Sequence, residues 1–400
     1  MPLNARMDAV GDYSFDRLRA LLGGIEPPDG VTPIALSLGE PQHAPPAFLA
    51  ETVAREAAGW SKYPPIRGTE AARAAIAGWL SRRYGLPDGM IDPETMVIPV
   101  SGTREALFMI ALAAVPEEKN GQKPVVLIPN PFYQVYLGAT VMAGAEPVLV
   151  AADRQAGFLP DFSALPEATL ARTAMAYYCS PANPQGAVAP METMARLVEL
   201  ARKYDFLLVS DECYSELYYG AAPTGAAEAC AALGESGAVS MRNVAVMNSL
   251  SKRSSAPGLR SGFVAGDPEL IRRFARLRDY GGAPPPLPLL AAASALWSDE
   301  EHVIANRAIY AAKYEAAAQI LGGKYGYYTP EGGFYLWLDV GDGEAAARRL
   351  WAEAGVRVIP GEYLAREANG HHPGAGYIRL ALVHDLETTR AALTRITDVL

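Results

Sequence analysis

Leu207-Leu208-Val209-Ser210-Asp211-Glu212-Cys213-Tyr214 is a short apolar run that ends abruptly in acids. That pattern predicts a buried parallel strand whose carboxyl end opens into a crevice. Ligands of open α/β sheets bind at that edge. A carboxylate there suits a pyridine ring, because it keeps the ring nitrogen protonated and electron-withdrawing. An isolated Asp more often caps a helix or faces water, so Asp211 needs neighbours to carry this reading.

Other segments repeat the pattern. Val125 to Ile128, Pro147 to Val150, Met175 to Tyr178, Phe206 to Val209 and Val244 to Met247 are strand candidates, and Arg104 to Ala114 and Met191 to Tyr204 are helix candidates between them. The alternation predicts an α/β domain with a mostly parallel sheet. Chemistry-bearing residues follow the runs. Val97 to Leu107 reads as strand, tight turn and helix, so backbone N–H groups after Gly102 form an anion site at Thr103 and Arg104. Ile128-Pro129-Asn130-Pro131-Phe132-Tyr133 ends a strand with an aromatic suited to stacking on a flat ring. Cys179-Ser180-Pro181-Ala182-Asn183-Pro184-Gln185-Gly186 fixes a rigid turn whose Asn183 amide can donate to a phenolate oxygen or a carboxylate.

Downstream stands Ser249-Leu250-Ser251-Lys252-Arg253-Ser254-Ser255-Ala256-Pro257-Gly258-Leu259-Arg260. A lysine amine condenses with an aldehyde and carries a proton once that bond is broken. Hydroxyls and a guanidinium beside it make a site for a small dianion such as a phosphate ester. Aldehyde and phosphate on one small molecule describe pyridoxal phosphate (PLP). Read alone, such a Ser/Lys/Arg loop is as readily a solvated one; the company of the other segments decides between the two.

In this order, these pieces resemble the class I/II aminotransferases of PLP fold type I, from about Pro33 to the C-terminus. The resemblance implies an aspartate-aminotransferase-like α/β fold: a large domain with a mostly parallel seven-stranded sheet and a smaller α+β domain. It implies Lys252 as the Schiff-base lysine and general acid–base, and Asp211 as partner of the pyridine nitrogen. Asn183 and Tyr214 match the positions that hydrogen-bond the ring's phenolic oxygen. Gly102, Thr103, Arg104, Ser249, Ser251 and Arg260 match the phosphate cradle, and Tyr133 the stacking aromatic. Tyr63 looks like the tyrosine that reaches a neighbouring subunit's phosphate, which implies a homodimer. Arg379 is similar to the clamp for the substrate α-carboxylate, aided by Asn183, and Gly39 to the glycine that contacts the same group.

The runs 210–217, 249–254, 129–136 and 361–367 are similar to those of the succinyldiaminopimelate aminotransferases of bacterial lysine synthesis. That likeness implies glutamate as donor and N-succinyl-2-amino-6-oxopimelate as acceptor, with Arg67 and Arg253 as candidate cations for the distal carboxylates. The proline-rich Gly281 to Pro288 departs from the more polar loop usual there; it reads as a stiff inter-domain loop. Within the same cofactor class, an aspartate, alanine or aromatic aminotransferase, or a C–S lyase, is the alternative. A PLP-fold regulator without turnover is a further one, but no basic helix-turn-helix stretch accompanies the pattern.

Composition sets the outer bounds. The 400 residues suggest more than one core. Expected divisions are an N-terminal arm with part of the small domain over 1–45, a large cofactor-binding domain over 46–290, and a small domain over 291–400. Thirty-five basic against 44 acidic residues give a net charge of −9, which argues against a nucleic-acid partner. Small-molecule amino and keto acids are the expected partners. Cys179, Cys213 and Cys230 form no spacing motif, which fits reduced thiols and a cytoplasmic setting. The start of the chain has no long apolar core, and Leu287 to Trp297 is too short to span a membrane. No G-x-G-x-x-G or Walker A sequence is present, and His371-His372, the lone histidine pair, sits in a Gly/Asn/Pro loop, so no metal is expected. His302 to Leu321 reads as one long helix stopped by Gly322-Gly323, and strands at 333–338 and 377–382 flank a helix at Gly343 to Ala354.

Overall fold

The structure, a computed structural model, describes residues 1, 3–234 and 240–400. Seven strands make the main sheet: β1 (Val97–Val100), β2 (Val125–Asn130), β3 (Glu146–Ala151), β4 (Thr173–Cys179), β5 (Leu207–Asp211), β6 (Val244–Ser249) and β7 (Gly262–Gly266). Their order is β1-β7-β6-β5-β4-β2-β3. β7 runs antiparallel to both neighbours and the remaining pairs are parallel. This is the mostly parallel α/β sheet expected.

The strands read as unbroken apolar runs because both faces of the sheet are covered. Alternate side chains enter different cores. Val125 and Leu127 join one with Trp79, Phe206 and Trp297, while Val126 and Ile128 join the other with Tyr136, Tyr177 and Phe274. The covering helices include Glu70–Tyr84, Thr103–Ala114, Met191–Tyr204 and Pro268–Gly281.

The proline-rich segment differs from expectation. Pro286 is an N-cap and Pro288 lies in the first turn of the helix Leu287–Ser298. Proline is tolerated there because first-turn N–H groups have no intrahelical partner. The preceding helix Pro268–Gly281 packs on one face of the main sheet through Phe274; Leu287–Ser298 packs on the other through Leu296 and Trp297. The prolines therefore pass the chain from face to face of one sheet. Position 290, expected as a boundary, lies inside this helix.

A third core gathers Leu336, Leu338, Leu350, Ile378, Leu393 and Ile396. It lies on an antiparallel sheet of β8 (Tyr335–Asp339), β9 (Ile359–Pro360) and β10 (Tyr377–Ala381), in the order β9-β10-β8. Residues from near the start of the chain join it: Ile34 and Ala35 pair in parallel with Val356 and Arg357. The long helix spans Glu301–Leu321 and ends at Gly322, whose φ of 56° favours glycine. No helix among the described residues is long and apolar enough to cross a membrane.

Candidate active site

β1, β2, β4, β5 and β6 run the same way, so the turns after Val100, Asn130, Cys179, Asp211 and Ser249 meet at one edge. Those turns carry Gly102 to Arg104, Tyr133, Asn183, Tyr214 and Lys252. Asp211 is 5% exposed. Its Oδ2 accepts from the Tyr136 hydroxyl at 2.6 Å and its Oδ1 from the Cys213 backbone N–H at 3.3 Å. Burial pushes its carboxyl up, and the Tyr136 donor pulls it partly back. Among the described residues it has no cationic partner. Tyr136 in turn stacks on Tyr177 at 4.4 Å and meets Tyr133 edge-on at 5.8 Å.

Ser249, the last residue of β6, caps the short helix Leu250–Arg253 by accepting from the Ser251 N–H at 3.1 Å. The cap turns Lys252 up from the sheet edge. Its Nζ donates to the Gly39 carbonyl and lies 5.2 Å from the centre of the Phe334 ring. Burial lowers its pKa from 10.5 to about 8; Arg379 and Arg260 push the same way, and Cys213 and Glu40 oppose.

The anion pocket is built around Gly102. It caps the helix Thr103–Ala114 at φ 88°, and a Cβ here would overlap Nη2 of Arg260. Arg260 is exposed and, among the described residues, donates only to the carbonyls of Pro257 and Ser101, at 2.8 and 3.4 Å. Its charge is thus left for an anion. Thr103 Oγ1 lies 3.1 Å from Cys213 Sγ. Arg104 follows Thr103 in the first turn of the same helix. Its guanidinium donates to the Tyr133 hydroxyl at 2.7 Å and the Tyr13 hydroxyl at 3.4 Å, leaving only its backbone N–H for a phosphate at the helix start.

On the opposite wall, buried Arg379 donates to Asn183 Oδ1 at 3.1 Å and to the Ser37 carbonyl at 2.8 Å, while its Nε has no partner among the described residues. The bond to Oδ1 orients the Asn183 amide with its NH2 free to donate. The Tyr214 hydroxyl lies 3.0 Å from that of Tyr335. Tyr63 is apart from all of these and fully exposed.

Both candidate distal cations are engaged elsewhere. Arg253 is fully buried; it donates to the carbonyls of Leu296 and Asp299 at 2.6 and 3.0 Å and to Glu300 at 2.7 Å. Facing Trp79 and Trp297, it is a structural clasp and not a substrate contact. Arg67 donates to the Glu94 carbonyl. The sequence reading also missed Tyr136 and Tyr335. Tyr136 stands three residues after Tyr133 at the start of the helix Gln134–Met142, a spacing that puts both on one side. Tyr335 could have been found from alternation along its strand.

PLP fits these residues. A buried carboxylate without a cation suits a protonated neighbour such as a pyridinium. A glycine-lined, guanidinium-bearing turn at a helix start suits a phosphate. A half-neutral lysine lies between them to take the aldehyde.

The chain matches the family model for aminotransferase class I and II over residues 31–396. It is 30% identical to an LL-diaminopimelate aminotransferase of Desulforudis audaxviator over 408 aligned positions, covering 98% of each chain. It is also 30% identical to a 4-dedimethylamino-4-oxo-anhydrotetracycline transaminase of Streptomyces rimosus, covering 92% of this chain and 94% of that one. Among solved structures, an aminotransferase from Neisseria meningitidis superposes with a TM-score of 0.92 at 39% identity, covering 99% of both chains. An aspartate aminotransferase variant from Thermus thermophilus does so at 0.83 and 28%, covering 100% of both. With the lysine, the buried aspartate and the anion pocket at one sheet edge, the chain belongs to the class I and II aminotransferases, whose cofactor is pyridoxal phosphate.

Proposed function

We propose that this protein transfers the amino group of glutamate to N-succinyl-2-amino-6-oxopimelate, on the route to diaminopimelate and lysine. When bound, the cofactor supplies an aldehyde that takes up the amino group and a ring that accepts the electrons of the broken C–H bond. The protein's part is to hold and move protons. Lys252, half-neutral near pH 8, would take the α-proton of the amino acid and return it to the former aldehyde carbon on the far side of the nitrogen. Asp211, oriented by Tyr136, would hold a negative charge beside the protonated ring nitrogen. Asn183 and Tyr214 would donate to the ring's phenolic oxygen. Arg379 would bind the α-carboxylate and so fix the C–H bond relative to the ring. Gly102, Thr103, Ser249, Ser251 and Arg260 would hold the phosphate.

The observation that carries the substrate class is that, among the described residues, the guanidiniums of Arg379 and Arg104 have no carboxylate partner. Arg379 donates to Asn183 and Ser37, and exposed Arg104 donates to the phenols of Tyr133 and Tyr13. Two cations suit substrates with a second carboxylate. The likeness of the runs around Asp211 and Lys252 to succinyldiaminopimelate aminotransferases supports the succinylated acceptor. The relatives named for LL-diaminopimelate favour a second reading, in which the acceptor carries no succinyl group.

The deciding test measures steady-state transfer from glutamate to the succinylated and unsuccinylated acceptors, oxaloacetate and pyruvate. The succinylated acceptor should give the largest kcat/KM. A larger value for any other acceptor overturns the assignment. Adding glutamate alone should replace the visible absorption band of the bound cofactor with one in the near ultraviolet.

We also propose a homodimer in the cytoplasm, each chain divided into an N-terminal arm over 1–45, a large cofactor-binding domain from 46 and a small domain that follows the helix Leu287–Ser298. Fully exposed Tyr63, the exposed Trp60, and an apolar groove lined by Leu49, Val53, Trp60 and Leu289 support it. A monomer by sedimentation that retains its cofactor would overturn the role of Tyr63.

A further inference from the structure

Tyr335 stands where three parts of the site meet. It opens β8 and pairs across with Ala381, while Trp337 pairs with Arg379. Residues two apart on antiparallel strands share a face, so Tyr335 and Arg379 are diagonal neighbours within side-chain reach. The guanidinium of Arg379 lies 4.3 Å from the centre of the Tyr335 ring. The hydroxyl of Tyr335 lies 3.0 Å from that of Tyr214. It also fills the space where Gly39 would carry a side chain, since a Cβ there would overlap it. Tyr335 is 4% exposed, so none of these contacts competes with bulk water.

Each phenol has a single proton. A phenolic oxygen of the cofactor that is ionised only accepts. If Tyr214 donates to it, the bond between the two phenols persists only with Tyr335 as its donor. We propose that Tyr335 is a positioning residue for transamination: its hydroxyl donates to Tyr214, its ring supports Arg379, and its tip sets the main chain at Gly39. This inference rests on the reading of Tyr214 as a donor to the cofactor. Tyr335 thereby couples the group that tunes the ring oxygen to the group that grips the substrate carboxylate. A donor into Tyr214 makes its remaining O–H a stronger donor in turn.

Cys179 and Arg379 are the charged or titratable groups that act on Tyr214 besides Tyr335. Tyr310 lies near Tyr335. The Lys252 amine faces Phe334, which packs edge-on against both tyrosines.

The test uses the holoenzyme and the variants Tyr335→Phe, Tyr335→Leu, Tyr214→Phe and Tyr214→Phe/Tyr335→Phe. The readouts are the pH midpoint of the bound cofactor's visible band, kcat, and the KM for glutamate. The band reports the proton shared between the lysine nitrogen and the ring oxygen, so a weaker donor to that oxygen raises the midpoint. Tyr335→Phe should raise it by about half a unit to one unit and lower kcat roughly two- to tenfold, as expected for one buried hydrogen bond. Its KM should hold, because the ring under Arg379 remains. Tyr335→Leu should also raise KM. In the band's midpoint the double variant should match Tyr214→Phe, because the Tyr335 hydroxyl reaches the ring oxygen through Tyr214.

A midpoint unmoved in Tyr335→Phe but raised in Tyr214→Phe overturns the inference and leaves the reading of the site standing. A double variant whose midpoint lies beyond that of Tyr214→Phe also overturns it. A midpoint unmoved in Tyr214→Phe overturns the reading of Tyr214 itself.

Discussion

The phenol of Tyr136 donates to Oδ2 of Asp211 at 2.6 Å, and both side chains are buried. Asp211 therefore owes its orientation to a neutral donor and not to a cation. A neutral donor leaves the full negative charge for the ring nitrogen, whereas an arginine would have cancelled it.

Removing that donor should weaken the charge. Burial pushes the carboxyl of Asp211 up and Tyr136 is the largest opposing influence, so Tyr136→Phe raises it further. Cofactor affinity of the apoprotein should fall roughly tenfold, the worth of a hydrogen bond to a charged group. Asp211→Asn should cost about 10² or more in kcat while leaving the thermal midpoint near that of the parent. Fluorescence titration with PLP and steady-state rates check both.

Lys252 should behave as an amine of pKa about 8. Uptake of PLP by the apoprotein needs the neutral amine, so its rate should rise with pH through about 8 and level off above. Arg379→Leu removes a neighbouring positive charge and should move that midpoint upward. Lys252→Ala should fold normally and transfer nothing. Stopped-flow absorbance across pH 6–10.5 reads the first two outcomes; the range is set by the ordinary lysine pKa of roughly 10.4.

Arg253 should matter for stability and not for substrate binding. Arg253→Ala leaves a cavity against Trp79 and Trp297 and strands the carbonyls of Leu296 and Asp299. A loss of about 3 kcal/mol is expected from breaking a buried charged network. The KM for either substrate, measured well below the melting range, should not change. A raised KM at unchanged stability would return Arg253 to the substrate site.

Lys313 is fully buried and pairs through Nζ with His43 Nε2 at 2.6 Å and the Leu382 carbonyl at 2.7 Å. Burial lowers its pKa from 10.5 to about 7. Between those values the unfolded chain holds a proton that the native one lacks, so stability rises with pH across the window. Below about 7 both forms hold it and the deficit stays constant. Lys313→Met should flatten the rise between pH 7 and 10.5 by a few kcal/mol at most, read from denaturant midpoints at stepped pH.

Tyr63→Phe should weaken cofactor binding about tenfold to a hundredfold, the range for a hydrogen bond to a charged group. Dilution of the parent below its dimer dissociation constant should weaken binding to a similar extent.

The sheet was legible because parallel strands covered on both faces leave uninterrupted apolar runs, as at Val125 to Ile128. The lysine, aspartate and glycine turn were legible because each follows such a run. Contacts between distant segments were not. Nothing local to Arg104 says that its guanidinium turns to Tyr133 and Tyr13, and nothing local to Arg253 shows that Leu296, Asp299 and Glu300 surround it. The proline run misled because its composition suits a linker equally well, and only packing across the sheet shows that a helix begins within it.

Asn306 donates to the carbonyls of Lys252 and Arg253 at 3.1 and 3.2 Å, and Arg253 is itself clamped. The main chain beneath the amine is thus a fixed pivot. When the lysine releases one partner and takes another, the whole excursion must come from torsions along its four methylenes. The swing arm shuttles its proton without any remodelling of the platform on which it stands.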